Sequence, residues 1–316
     1  MKRLLALILA AILLVWWYHP AKLQPPPARP LILGVVPILN GFILEAHSRG
    51  FLKKEGINLV IQPYLTGRHL FDALIGGELD LGVVGLVPLA LEAADHASLR
   101  ILATTAKFHG LYRILANPEA GIHTPEDLQG HLIGLTRDSS MHYFLYNFLV
   151  NLRIPPSRVR LRYYDSPAHL PAALMAGEID AYCAREPFLR SSRTPPSSET
   201  VVFDAPELWA NLLNLVGLAS RLEARSQDVS VLMRGLLKAE ESLLSGGKWQ
   251  ESQPTPWHRA EYGLLLDQEL VVQLEDVVRW SMRQKLGGPQ RMPNFMAFID
   301  HRFLDALKPD AVTLIH

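Results

Sequence analysis

The most pointed chemistry in this 316-residue chain lies in the run Arg137, Asp138, Ser139, Ser140, Met141. Two hydroxyls at a helix start beside an arginine can receive a carboxylate, a sulfonate or another anion, because free backbone N–H groups and a guanidinium favour negative charge at one spot. The same residues can equally form an ordinary N-cap, with Asp138 or Ser139 accepting from the first turn. Thr66 offers that choice again, followed by Gly67. Arg68 and Lys107 could add positive charge, and Tyr64, Phe108, Tyr143 and Phe188 could stack on a flat ligand or close a core. An acid–base set can be drawn only loosely, from His69, His109, His142 and Asp138, which share no defined spacing. Cys183 is the one cysteine, so neither an internal disulfide nor a cysteine metal cluster is expected.

These residues need elements to position them, and the hydrophobic pattern supplies alternating strands and helices. Leu31–Val36 reads as a strand ended by Pro37, with Leu39, Asn40 and Gly41 turning into a helix over Phe42–Lys54. Ile57–Gln62 is a second strand, and Thr66 opens a helix that runs to Ile75. Leu79–Val84 is a third strand, followed by a Gly85–Pro88 loop containing Leu86 and Val87, then a helix over Leu89–Ala94. The alternation implies mostly parallel sheet covered on both faces. The same order returns: Tyr64, His69, Leu70, Ala73, Leu74, Gly77, Glu78 and Asp80 recur 100 positions on as Tyr164, His169, Leu170, Ala173, Leu174, Gly177, Glu178 and Asp180. In that repeat the Gly ends a helix and the Asp braces the turn into the next strand, a structural role for both Asp80 and Asp180.

Thr124, Pro125 and Glu126 start a helix in the second copy, before a strand over Leu132–Thr136. Beyond it come a strand over Leu212–Ala219, a long amphipathic helix over Arg225–Leu244, and helices over Glu261–Leu266, Leu270–Leu286 and Phe295–Ala306. The expected organisation is a first lobe from residues 31–107 and 212–316 and a second from 108–211. In open α/β sheets ligands sit beyond the carboxyl ends of the strands. The loops at Pro37–Gly41, Tyr64–Gly67, Gly85–Pro88, Thr105–His109, Arg137–Met141 and Glu186–Phe188 should therefore face one cleft.

Lys plus Arg balance Asp plus Glu at 31 each, which leaves no basic field for nucleic acid. Apolar residues at 49% and charged residues at 20% describe a globular chain. Lys2 and Arg3 precede an uncharged apolar run, Leu4–Tyr18, with Trp16, Trp17 and Tyr18 at its outer end. That is an export segment, shorter than the ~20 residues of a typical span, so residues 1–20 read as a cleaved signal peptide or a retained signal-anchor. Residues 21–30, with Pro25, Pro26, Pro27 and Pro30, form a stiff spacer.

The motifs resemble the substrate-binding proteins of nitrate, sulfonate and taurine type ABC importers, a group related to the thiamine-pyrimidine precursor proteins. The matching residues are Gly50–Ile57, Ala73–Asp80, Asp127, Leu128, Gly130, Ile133, Ser139, Ser140, Gly177–Ala181 and Glu186–Phe188. The resemblance implies an α/β type II periplasmic-binding fold: two lobes around a ligand cleft, closing by hinge motion, with a helical C-terminal segment. It implies no cofactor, no metal and no catalysis. It also implies a monomer that captures a small anionic or heterocyclic ligand and delivers it to a membrane permease, outside the cytoplasm and with or without a membrane anchor. Ser139, Ser140 and Gly85–Pro88 fall on the ligand loops, with Leu39, Asn40, Thr66, Gly67, Lys107, Arg137, Met141 and Glu186 on their neighbours. Arg185 departs from the family's usual aromatic before Glu-Pro, and the stretch Arg193–Glu199 reads as a surface loop peculiar to this chain. The alternatives are an enzyme on the same lobes, which the export segment and the lack of a cysteine-rich run weigh against, and an anchored sensor needing a partner protein.

Overall fold

Leu31–Val35 (β1) is almost wholly buried and stops before Pro37, which cannot donate to a ladder. The chain then forms two short helices, Gly41–Ser48 (α1) and Phe51–Lys54 (α2), where the sequence suggested one. Gly50, at φ +75, is the break: a left-handed residue ends a helix. Leu59–Pro63 (β2), Gly67–Ile75 (α3), Leu81–Gly85 (β3) and Leu86–Glu92 (α4) follow. The expected Gly85–Pro88 loop does not form, because α4 starts directly from β3 and Pro88 sits in its first turn, where no N–H is required. Nor is Thr105–His109 a loop; it is the end of the long strand Leu99–His109 (β4).

The second region contains Arg113–Ala116 (β5), Leu132–Leu135 (β6), Ser140–Asn151 (α5), Arg160–Tyr163 (β7), Leu170–Met175 (α6), Ala181–Ala184 (β8) and Val201–Phe203 (β9). The chain returns through Ala210–Leu218 (β10), Ala219–Ala224 (α7) and Ser226–Leu244 (α8). It ends with Ala260–Asp267 (β11), Gln268–Gln284 (α9), Arg302–Asp305 (α10) and Val312–Thr313 (β12). This computed structural model describes residues 29–189, 200–246 and 260–315, and Leu31–His316 makes one compact body. The readings of residues 1–28 and the Arg193–Glu199 reading lie outside the described residues.

Two mixed sheets result, ordered β12-β11-β4-β10-β3-β1-β2 and β7-β6-β8-β5-β9. The parallel part is narrower than expected, β2-β1-β3 and the edge pair β11-β12 in one sheet and β7-β6-β8 in the other; the β3–β10, β10–β4, β4–β11, β8–β5 and β5–β9 pairings are antiparallel. Segment 261–266, expected as helix, is strand β11. It pairs antiparallel with β4 (Glu261 opposite Lys107) and passes so close to Glu240 that a Cβ on Gly263 would meet its carboxylate at 2.7 Å. Tertiary pairing overrides the local helical preference of its Glu and Leu residues.

The 100-residue repeat is exact at the level of register. Ile32 pairs with Val60 and Leu132 with Arg160; Leu33 pairs with Leu81 and Ile133 with Ala181. The Asp80 carboxylate accepts from the Ile32 N–H at 2.9 Å, and that of Asp180 from the Leu132 N–H at 2.8 Å. Gly77 and Gly177, at φ +76 and +67, let Glu78 and Glu178 bond back to Ala73 and Ala173. A Cβ on Gly134 would lie 2.5 Å from Ile179 in the turn and 3.1 Å from Leu170 of α6, so both pack on the strand at a distance only glycine allows.

The two braces differ in burial. Asp80 is 2% exposed and faces Arg221 at 3.4 Å and Arg225 at 3.7 Å, whereas Asp180 is partly exposed and faces His131 at 3.2 Å. Asp80→Ala should therefore lower the urea-unfolding free energy by about 3 kcal/mol and Asp180→Ala by about 1 kcal/mol. Equal losses would show that burial does not set the strength of the brace.

Candidate functional site

The helix starts beyond β1, β2, β3 and β6 hold most of the residues singled out above, and each has an identifiable local role. Asn40 is buried and its Oδ1 accepts from the Val36 N–H at 2.7 Å, fixing the β1–α1 turn beside buried Leu39. Thr66 caps α3, its hydroxyl accepting from the His69 N–H at 3.3 Å, and Gly67 is the first helical residue. Leu86 and Val87 are fully buried in the core, while Gly85 faces the amide of Asn211: a Cβ there would lie 3.8 Å from Oδ1 and 3.9 Å from Nδ2. Lys107 is not a free cation. Burial disfavours its charge, but bonds to Glu269 and to Asp267 (3.0 Å) outweigh that and hold its pKa raised.

At α5 the capping reading holds for Ser139, whose Oγ accepts from the His142 N–H at 3.3 Å and donates to the Thr136 carbonyl at 2.6 Å. Asp138 takes a left-handed φ of +52 to make this entry. Ser140, the first helical residue, adjoins Tyr112, and the Met141 carbonyl accepts from the buried Cys183 thiol at 3.3 Å. Arg137, the arginine given most weight in the sequence, is exposed, with its guanidinium 4.3 Å from the centre of the Tyr163 ring. His69 is exposed on α3, His109 lies 3.5 Å from Glu261, and His142 is buried; the loose acid–base set has separate neighbours. Among the described residues no His, Cys, Asp and Glu group has metal-site geometry.

A belt of aromatic rings links the two sheets. Tyr112, just before β5, stacks on Trp209, just before β10, at 5.6 Å and 16°. Tyr143 on α5 meets Trp209 at 5.1 Å and Trp280 of α9 at 5.2 Å, and His142 meets Trp280 edge-on at 5.1 Å. The belt adjoins two polar side chains. Arg185, directly after β8 and 8% exposed, donates to the Glu186 carbonyl at 2.7 Å and lies 5.7 Å from the Phe188 ring; Glu186 itself is half-buried. Asn211 is 1% exposed and its Oδ1 has no hydrogen-bond partner. Burial pushes the Tyr112 phenol up to about 12 despite the positive field of Arg185, and burial pulls the Arg185 pKa down.

Sequence reasoning did not single out Tyr112, Trp209, Asn211 or Trp280. Its signals in this region were Tyr143 and Phe188 as possible stacking rings, His142, Ser140 and Glu186 on the same loops, and Arg185 standing where an aromatic was expected. Trp209 flanking a strand whose apolar run is broken by Asn211 and Asn214 was another usable cue.

The fold is that of the two-lobed type II periplasmic binding proteins. Its solved neighbours include the alkanesulfonate-binding protein SsuA from Xanthomonas axonopodis pv. citri bound to MOPS (TM-score 0.68, 20% identity, 86% of this chain and 98% of that one). The family model described as NMT1/THI5 like matches residues 40–243, and the chain belongs to that family. Curated relatives include the taurine-binding periplasmic protein of Escherichia coli (strain K12), 30% identical over 135 residues, which are 41% of this chain and 40% of that protein. Another is the bicarbonate transport ATP-binding protein CmpC of Synechocystis sp. (strain ATCC 27184 / PCC 6803 / Kazusa), 30% identical over 200 residues, 57% of this chain and 30% of that protein. The chain thus spans between 30% and 40% of the length of these relatives.

Burial, aided by the charge of Arg137, depresses His142 to about 4. The unfolded chain then binds a proton between pH 6.5 and 4 that the folded chain refuses, so stability falls as pH drops through that window. The loss should reach about 2–3 kcal/mol at pH 4. His142→Phe should flatten this part of the stability–pH profile in urea titrations; an unchanged slope would remove His142 as its cause.

Proposed function

We propose that this chain is an extracytoplasmic solute-binding protein that captures a small anionic ligand, of sulfonate, taurine or nitrate type, between two lobes and delivers it to an ABC importer. The reading rests above all on one observation. Buried polar groups without full partners, Arg185 and Asn211, adjoin an aromatic belt that joins the two sheets. Ordinary cores satisfy such groups, whereas ligand sites keep a few convergent polar groups in apolar and aromatic surroundings. Family membership and the binding-protein fold support the same reading.

On this proposal lobe 1 is residues 31–107 with 212–316 and lobe 2 is residues 108–211. The chain passes between the sheets through 110–112 and 204–209, the two segments that would flex on closure. The ligand contacts nominated from the sequence divide accordingly. Ser140 and Gly85 stay as candidate ligand neighbours, Leu86 and Val87 act through their backbone at the α4 start, and Thr66, Ser139 and Asn40 hold helix entries. The N-terminal segment would either be removed on export or tether the protein. Among the described residues no helix is long and apolar enough to cross a membrane. No bond is made or broken in this scheme, and the protein acts as a monomer with a permease as its partner.

A thermal-shift screen of the full chain against taurine, alkanesulfonates, nitrate, bicarbonate and aminopyrimidines tests the reading. A bound ligand at 100 times its Kd should add about 2.7 kcal/mol to stability, seen as a saturable rise in Tm. Catalytic turnover of any compound that binds would overturn the proposal.

A further inference from the structure

Resting on the solute-binding reading, one side chain carries a more specific inference. Among the described residues, Glu45, Asp80, Glu240 and Asp300 are carboxylates more than nine-tenths buried, and each faces an opposite charge. Glu45 meets Arg49, Asp80 meets Arg221 at 3.4 Å, Glu240 meets Lys308 at 2.6 Å, and Asp300 meets Arg302 at 2.8 Å. This is what electrostatics requires, since a charge taken out of water must be paired. Arg185 breaks the pattern. It is 8% exposed, has no carboxylate within ion-pair distance among the described residues, and uses one hydrogen bond, to its neighbour's carbonyl. A guanidinium has five donors and stays charged when buried. Beyond that bond the guanidinium meets only the Phe188 ring, at 5.7 Å; among the described residues its remaining donors have no hydrogen-bond acceptor and its charge has no carboxylate.

The surroundings are suited to a negative group. Arg113 pairs with Ala184 across β5 and β8, so Tyr112 and Arg185 occupy the next position along the same two strands. The Tyr112 side chain adjoins Ser140, the first helical residue of the twelve-residue helix α5. With Ser139 engaged to the His142 N–H, the N–H groups of Ser140 and Met141 are left without intrahelical partners, as at any helix start. Across the belt, Trp209 stacks on Tyr112, and two residues on Asn211 presents a buried amide oxygen with no partner.

We infer that Arg185 is the residue that meets the ligand's negative charge, so the cargo is an oxyanion-bearing molecule, and that the Asn211 amide reads a donor on the same molecule from the first sheet. Arg137, exposed and stacked on Tyr163, is not the anion receptor. An aromatic at position 185 would leave this charge unanswered, so the departure from the usual residue before Glu-Pro sets specificity.

The test pairs acids with uncharged counterparts of nearly the same shape: methanesulfonate with methanesulfonamide, benzenesulfonate with benzenesulfonamide, and benzoate with benzamide. Binding to the full chain is followed by thermal shift and by tryptophan fluorescence. At least one acid should bind while its amide does not. Arg185→Met should weaken that acid by about 100-fold or more, with Arg185→Lys recovering part of the loss. Without ligand, Arg185→Met should melt at or above the parent, because it removes a buried unpaired charge; a structural arginine would give a lower melt. Equal binding of acid and amide, or Arg185→Met binding like the parent, overturns the assignment and leaves the solute-binding reading standing. A parent that binds none of the acids also overturns it, and if the importer-ligand screen is blank too, both fall.

Discussion

The hydrogen bond from the Ile32 N–H to the Asp80 carboxylate, with its counterpart from Leu132 to Asp180, is the constraint on which the two sheets depend. Each ties the entry of a first strand to the turn that leads into the third, and the main chain answers in both: Asp80 N–H bonds the Ile32 carbonyl, Asp180 N–H that of Leu132. With the first and third strands locked, only one register is open, because a one-residue slip would turn every buried side chain outward. The carboxyl ends of β1, β3, β6 and β8 are then set, and with them the starts of α1, α4 and α5 and the position of Arg185. A turn remote from the proposed site decides where the proposed ligand residues stand.

The same electrostatic rule separates buried polar groups that are satisfied from those that are not. Buried Thr104 bonds Asn214 at 2.9 Å, Thr105 bonds the Leu213 carbonyl, and Ser281 bonds the Gly287 carbonyl. These groups are satisfied and need no further explanation. Among the described residues Asn211 Oδ1, His142 Nδ1, Trp280 Nε1, Thr136 Oγ1 and Asp138 Oδ1 are buried without a hydrogen-bond partner, and Arg185 is buried without a carboxylate; His142 and Trp280 belong to the aromatic belt, and Asn211 follows Trp209 by two positions. A burial cost that recurs beside one belt marks a place where the protein gives up stability for something else.

Much of the fold was legible in the sequence for a physical reason. A βαβ unit needs a helix stop, a tight turn and a braced strand in fixed order, so Ala73–Asp80 and Ala173–Asp180 had to look alike. The caps at Thr66 and Ser139 were legible because capping is local. Strand β11 was not, since its pairing with β4 joins residues more than 150 positions apart and its own Glu and Leu favour helix. The site was half legible. The loop addresses were given by the strand ends, but the weight placed on Arg137 and Lys107 failed to see Tyr163 beneath one and Asp267 and Glu269 around the other. Burial of one arginine rather than another is a property of the assembled sheets, as is the meeting of Tyr112 with Trp209.

An unpaired buried cation also bears on how such a protein would respond to its cargo. A ligand shifts a conformational equilibrium only through its differential affinity for the two states. When the lobes close on nothing, Arg185 is dehydrated without compensation, which penalises the closed empty state; when they close on an oxyanion, the same burial strengthens the ion pair, because screening by water is lost. Both terms act in the same direction. On the proposed assignment, one side chain would therefore recognise the charge of the ligand and couple that recognition to closure. The Tyr112–Trp209 stack, formed between the two crossing segments, provides the contact through which the sheets would sense each other.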